Sequence, residues 1–341
     1  LVAAQGRQQE APLTPTVRAT FHRHRLRPAA RGAVVSIGVF DGVHVGHHAI
    51  LAQNIARARE LGAEPTVVTF RRHPKRLLLG RAPKELTTLE HRFELFRRAG
   101  VEHVVALEFD ERLRETSAAD FASEILERGL ATRHLVLGFD SKFAKNREGT
   151  PEWLREHGWS VEVVPQVVVR HRPVSSTAIR EAVELGDLDG AEAMLGRPVA
   201  LLGRVVHGRA LGRELGFPTA NLNVLHALHP PGGVYAGRAR LVGAGDVLAA
   251  HGTFRPGEML AGHDAVLNIG SRPTVANGDA HVTVEVHLFD WSGSLYGARL
   301  EVELLTRLRE ERRFASHAEL KAQIARDIEA AREALARRRS T

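Results

Sequence analysis

Four groups of residues in this sequence have types and spacings suited to handling phosphate. His44 and His47 stand three apart within Gly-Val-Phe-Asp-Gly-Val-His-Val-Gly-His, residues 38–47. Two imidazoles so spaced at a helix start face one ligand, and each can donate to a phosphate oxygen. Gly38, Gly42 and Gly46 let the backbone come close, and the helix N-terminus behind them offers unpaired N–H groups and partial positive charge. Ser175-Ser176-Thr177, followed by Arg180, supplies hydroxyls for capping or phosphate contact and a guanidinium fork. Gly208, Gly212 and Gly216 recur every four residues ahead of Phe217-Pro218-Thr219-Ala220-Asn221. Such a loop can wrap phosphates, and the Thr219 hydroxyl and Asn221 carbonyl are hard oxygen donors suited to Mg²⁺. Glu285 lies in Val-Thr-Val-Glu-Val-His, where alternation sets it on one face with Thr283 and His287.

Each group also has a plainer reading. His-x-x-His reads as a surface pair in a tight turn, or as a metal site lacking a third ligand at a ligand-like spacing. Ser-Ser-Thr reads as a helix N-cap, which uses the same N–H groups as phosphate binding. The glycine run reads as a hairpin and is not a Walker A loop, because no Gly-Lys-Ser/Thr follows. Glu285 alone reads as an exposed strand carboxylate.

The elements that must position these residues fall into two classes. Ala33–Phe40 is a continuous apolar run, the pattern of a buried parallel strand. Helical periodicity follows over 47–61, stopped by Gly62. Further strands are predicted over 65–70, 101–109, 134–139 and 161–169, with helices over 89–99 and 117–128 between them. That alternation predicts βαβ units and a parallel sheet. After two short helices, 177–185 and 188–195, short β-like runs separated by Gly and Pro turns continue to about residue 308. They predict a small antiparallel barrel or sandwich, with an amphipathic helix over 316–336 closing it. The expected organisation is a basic, disordered arm (1–32), an α/β domain (33–186) and a β-barrel domain with a C-terminal helix (187–341).

Composition removes several classes of function. There is no cysteine, hence no disulfide, thiolate nucleophile or Cys-based zinc site. No apolar run reaches membrane-spanning length. The first 32 residues hold six Arg, one Glu and no apolar core, unlike a secretory signal. A cytoplasmic protein is expected. The net charge of +7 sits in the ends: residues 1–32 carry +5 and residues 332–341 carry +3, leaving the body near neutral. Without aromatic interleaving, nucleic acid is not an expected partner; small molecules are. Oligomeric state is left open.

The ordered motifs resemble those of bacterial bifunctional riboflavin kinase/FAD synthetases. Residues 38–47 resemble the nucleotidyltransferase signature, followed in order by Thr69-Phe70 with His73-Pro74, by Gly138-Phe-Asp140 with Phe143 and Gly149, and by Ser175–Arg180. Gly203–Asn221 resembles the riboflavin kinase signature. It is followed by Gly233-Val-Tyr235, Asn268–Thr274, Glu285-Val-His287 and Leu308-Arg309-x-Glu311.

The resemblance implies a Rossmann-like nucleotidyltransferase domain, a riboflavin kinase barrel, and ATP, riboflavin, FMN, FAD and Mg²⁺ as the molecules handled. It implies ATP contacts at Gly38, Phe40, Asp41, Gly46, Asp140, Ser176, Thr177, Arg180, Gly208, Gly212 and Gly216. His44 and His47 would serve adenylyl transfer, and Glu285 would be the kinase's general base. Thr219 and Asn221 would hold the metal, and Arg309 and Glu311 would lie by the flavin, covered by 308–314 and the last helix. Four positions depart from the family pattern: Arg71-Arg72 replace Glu-Pro, Ser141 replaces Phe and Ala144 replaces Gly; a fifth, Ser294, replaces Asp. The first four motivate an alternative, a riboflavin kinase with an impaired adenylyltransferase domain. A non-enzymatic flavin- or nucleotide-binding module is a further alternative, and a single-domain nucleotidyltransferase for another substrate would leave residues 200–315 unexplained.

Overall fold

The computed structural model describes residues 17–208, 211–224, 228–242, 253–254, 262–273, 280–291 and 293–340. The first half is built on β1 (Val17–Thr20), β2 (Ala33–Ile37), β3 (Glu64–Phe70), β4 (His103–Leu107), β5 (Thr132–Gly138) and β6 (Val161–Val164). They pair in parallel in the order β1-β4-β3-β2-β5-β6. All five residues of β2 and of β4 are buried, including Ser36 and His103, as their mostly apolar runs require when helices cover both faces. The carboxyl ends of β2, β3 and β5 open onto the 38–47, 69–74 and 138–149 segments, the usual ligand side of such a sheet.

Two expectations about this half are corrected. The arm is not loose from Val17 onward, because β1 extends the sheet alongside β4. Val17, Ala19 and Phe21 are buried at period two, and Arg18 reaches Glu64 and His103. Arg- and Pro-rich surroundings masked that short alternation. The strand expected over 161–169 ends at Val164. Pro165 has no N–H to continue the ladder, and β7 (Val168–Val169) turns away to pair with β8 (Arg172–Pro173).

The second half is a closed antiparallel barrel of β9 (Val199–Val206), β10 (Ala220–Val224), β11 (Gly233–Val242), β13 (His263–Pro273), β14 (Ala280–Leu288) and β15 (Arg299–Arg309). Strand β12 (Thr253–Phe254), between β11 and β13 in sequence, instead joins the first half's sheet, antiparallel to β1. Leu201, Leu222, Leu267, Val284, Val286 and Val302 fill the barrel. The helices Ser176–Leu185 and Leu188–Leu195 bury Ile179, Val183, Met194 and Leu195 in that same cluster. The boundary expected at 186/187 therefore falls between two helices that share the barrel's core.

The last helix, His317–Arg339, does not plug the barrel. It lies on the outer wall, where Ala331, Ala334 and Leu335 cover Val234, Ala236, Val266 and Leu305. The interior is already filled, so the apolar residues that alternate outward on β11, β13 and β15 are what need covering. The halves are joined by a buried polar contact. Glu301 of β15, 2 % exposed, meets His91 Nε2 at 2.7 Å, Arg98 Nη2 at 3.3 Å and Arg240 Nε at 3.1 Å.

Candidate active sites

The 38–47 segment leaves β2 and enters the Val45–Leu61 helix through a turn with Phe40, Gly42 and Val43 at positive φ. The turn is held from behind through its carbonyls. Val39 O accepts from Arg92 Nη1 at 2.8 Å and Thr69 Oγ1 at 3.0 Å, and Asp41 O accepts from Ser176 Oγ at 2.9 Å. Gly42 O and Val43 O accept from Arg197 at 2.7 and 3.2 Å. Sequence reasoning found Thr69, Ser176 and Arg180 but not Arg92 or Arg197, which belong to no local pattern and meet the loop only through the fold.

His44 is the helix N-cap, and the two histidines cap reciprocally. His44 Nδ1 accepts from His47 N, and His47 Nδ1 accepts from His44 N, both at 3.3 Å. The rings stack with centroids 3.6 Å apart. An Nδ1 that accepts leaves the proton of a neutral imidazole on Nε2, so both rings have an Nε2–H to donate. Burial lowers His44 to about 4 against the pull of Asp41, and burial with the neighbouring His44 drives His47 well below its ordinary value. Both are neutral at neutral pH. Phe40, 2 % exposed, packs against His47 at 4.9 Å.

Asp41 is committed to the protein. Its buried carboxylate accepts from Leu86 N, Thr87 N and Thr87 Oγ1, and pairs with Arg180 Nη2 at 2.7 Å. Arg180 Nε donates to Lys84 O at 2.7 Å. In this geometry Asp41 and Arg180 clasp the 84–87 segment onto the loop. Ser175, rather than Ser176 or Thr177, caps the following helix, accepting from Ala178 N at 3.2 Å. Thr177 is exposed at that helix start, and Asp140 is exposed beyond β5. Gly38 and Gly46 sit against the rings of Phe40 and His44. Phe143 and Gly149 form a bridge, and between them Ala144 takes φ 65°, ψ −177°.

The second site lies on the outer wall of the barrel. Val284, Val286 and Leu288 point inward, so Thr283, Glu285 and His287 face out, as their alternation predicts. In the ladder Glu285 stands opposite Asn221 of β10 on one side and Asn268 of β13 on the other. All three line a cavity of about 290 Å³ with Thr219, Phe217, Arg309, Glu311, Phe314, Leu320 and Ile324. The lining is mixed, with Thr219, Asn221, Asn268 and Glu285 beside Phe217, Phe314, Leu320 and Ile324.

The glycines serve close packing here. A Cβ on Gly208 would lie 2.1 Å from Asn221 Nδ2, and one on Gly212 would lie 2.9 Å from Thr219 Oγ1. Gly216 takes φ 90°. Arg309 forms a fork on Asp327 of the last helix, with Nε at 2.9 Å and Nη2 at 2.7 Å. It thereby ties that helix to the end of β15. Glu311 packs against Gly270, where a Cβ would come within 2.5 Å of its Oε1. Thr274, the end of the Asn268 motif, lies outside the described residues.

Comparison with known proteins agrees with this division. A family model described as FAD synthetase matches residues 26–178, and one described as riboflavin kinase matches residues 195–335. A Pseudomonas fluorescens protein named bifunctional riboflavin kinase/FMN adenylyltransferase is 42% identical over 313 residues, covering 91% of this chain and 95% of the relative. Proteins of the same name from Escherichia coli K12 and Bacillus subtilis are 38% and 32% identical, with 91% and 92% of this chain and 95% of each relative covered. A crystal structure from Streptococcus pneumoniae, described as a macrolide-efflux protein, superposes with a TM-score of 0.77 at 27% identity, over 93% of this chain and 99% of that one. Among the described residues, no helix is long and apolar enough to cross a membrane.

Proposed function

Because the chain belongs to the family of bifunctional riboflavin kinase/FMN adenylyltransferases, we propose that it makes FAD from riboflavin in two ATP-dependent steps at two separate sites. The observation that carries the reading is that the two constellations lie at different places, one at the parallel sheet's carboxyl edge and the other on the barrel's outer wall.

At the barrel, the terminal ribityl hydroxyl of riboflavin attacks the γ-phosphorus of ATP, Glu285 accepts its proton, and the bond to the β-phosphate oxygen breaks to release ADP. The apolar cavity wall, with Phe314 and the last helix, covers the flavin ring. Thr219 and Asn221 fit Mg²⁺: both offer hard oxygens, and Gly212 and Gly208 let the backbone pack closely against them. Mg²⁺ in such a site is held mainly by water and phosphate. When bound, Mg²⁺ supplies charge neutralisation on the phosphates.

At the sheet, a phosphate oxygen of FMN attacks the α-phosphorus of ATP in line and pyrophosphate leaves. No covalent intermediate is needed, so the residues position and stabilise. His44 and His47 donate from Nε2 to the oxygens that gain charge. The N-termini of the Val45–Leu61 and Ser176–Leu185 helices add partial positive charge. The FAD synthetase match spans this whole loop, which favours two activities over a kinase alone.

Both reactions use ATP on a small substrate, and we place them in the cytoplasm. The test is to give one purified preparation riboflavin, and separately FMN, each with ATP and Mg²⁺. FMN is expected from the first, and FAD with pyrophosphate from the second. FMN without FAD would leave a kinase alone, and neither product would refute the reading.

A further inference from the structure

Arg92 lies on the Leu89–Ala99 helix, beneath the phosphate-handling loop. It is 2 % exposed. Nη1 donates to Val39 O at 2.8 Å and to Thr69 Oγ1 at 3.3 Å, while Thr69 Oγ1 itself donates to Val39 O at 3.0 Å. Nε is buried without a hydrogen-bond partner. Among the described residues, no carboxylate lies within ion-pair distance of its guanidinium. Burying a cation so is costly unless something nearby uses it.

What it holds is the strand-end turn. Val39 precedes Phe40, whose left-handed φ of 53° costs a non-glycine residue strain that neighbours must hold in place. Phe40 packs on His47 and on Phe96, the latter from Arg92's own helix. One helix thus fixes the turn's carbonyl through Arg92 and its ring through Phe96. Other charged groups act on the same region: Asp41 and Glu85 oppose the effect of burial on Arg92, while Arg92 with Arg197 and His48 disfavours protonation of His47.

We propose that Arg92 is a positioning residue for adenylyl transfer, holding the Val39–Phe40 turn through Val39 O and Thr69 so that His47 is set against the reacting phosphates. The proposal rests on assigning adenylyl transfer to this site. Wild-type protein that forms no FAD would remove that assignment; the variants below test Arg92 only where wild type forms FAD.

Arg92→Met, Arg92→Lys, Thr69→Val and the double variant Arg92→Met/Thr69→Val are made in the full chain, and FAD and FMN formation are measured on each preparation. Misplacing a reacting geometry by about 1 Å costs about 10²-fold. Arg92→Met is therefore expected to lower kcat for FAD formation by about 10²-fold, with FMN formation unchanged. Adding Thr69→Val should cost little more, since both act through one contact. Arg92→Lys, which keeps the charge but reaches fewer acceptors, should fall between and decides the matter if the methionine variant does not fold. Unchanged FAD formation in the lysine or methionine variant, a parallel fall in FMN formation, or fully multiplicative effects of Arg92→Met and Thr69→Val would each overturn the proposal.

Discussion

Asn221 and Glu285 face one another directly across the β10–β14 ladder. Neighbouring strands are about 4.8 Å apart, so a group on β10 and a group on β14 share one substrate atom's surroundings. Asn221 also packs against Gly208, where a Cβ would lie 2.1 Å from its Nδ2. Asn221→Ala should raise the Mg²⁺ concentration needed for FMN formation, and Gly208→Ala should do the same by displacing Asn221. Both should leave FAD formation from supplied FMN unchanged. A Mg²⁺ titration of each activity checks this; identical curves for wild type and Gly208→Ala would contradict it.

The histidine pair predicts an acid-side dependence. A histidine whose folded pKa lies below its unfolded value of about 6.5 contributes stability in full above that pH and loses it as the pH falls through the folded value. For His44 that value is about 4. Asn is a good N-cap that does not titrate. His44→Asn should therefore keep the wild-type melting temperature near pH 7.5 and lose less of it by pH 4.5, while FAD formation falls. Parallel melting curves across that range would contradict the assignment.

Ala144 occupies a backbone region that glycine alone enters freely, φ 65° with ψ −177°. Such a conformation costs a residue with a Cβ about 1–3 kcal/mol. Ala144→Gly should relieve it and raise the unfolding midpoint in urea, with FAD formation retained or increased. A lowered midpoint would show that the loop pays no such strain.

Glu301 joins the halves. Burial alone would raise its carboxyl, but the His91 hydrogen bond and the Arg98 and Arg240 charges hold it far below the usual carboxylate range. Removing one partner of a buried ion cluster costs about 3–5 kcal/mol. Glu301→Ala should lose stability on that scale, and both activities should fail together on heating, because the Leu89–Ala99 helix and β15 lose a shared anchor. Selective loss of one activity at unchanged melting temperature would contradict this.

Sequence periodicity was enough to predict the parallel sheet, the antiparallel barrel and the last helix, because apolar runs and alternation report burial directly. It did not predict β1, only four residues long and set in an Arg- and Pro-rich stretch, or β10, which hides behind the glycine run that carries Thr219. The site residues that motifs point to are brought together at two places. Their partners were not legible: Arg92, Arg197 and Thr87 reach the loop across 45 to 155 positions of sequence, and Asp41 and Arg309 are shown only by the fold to be taken up by protein contacts. Long-range polar pairing leaves no periodic trace.

The most direct test of two independent sites crosses two variants with two assays on the same preparations. Glu285→Gln should lower FMN formation from riboflavin by about 10²–10⁴-fold and leave FAD formation from supplied FMN at the wild-type rate. His47→Ala should lower FAD formation by about 10²–10³-fold and leave FMN formation intact. If either variant, folded as wild type by its melting curve, loses both activities together, the two-site account is wrong.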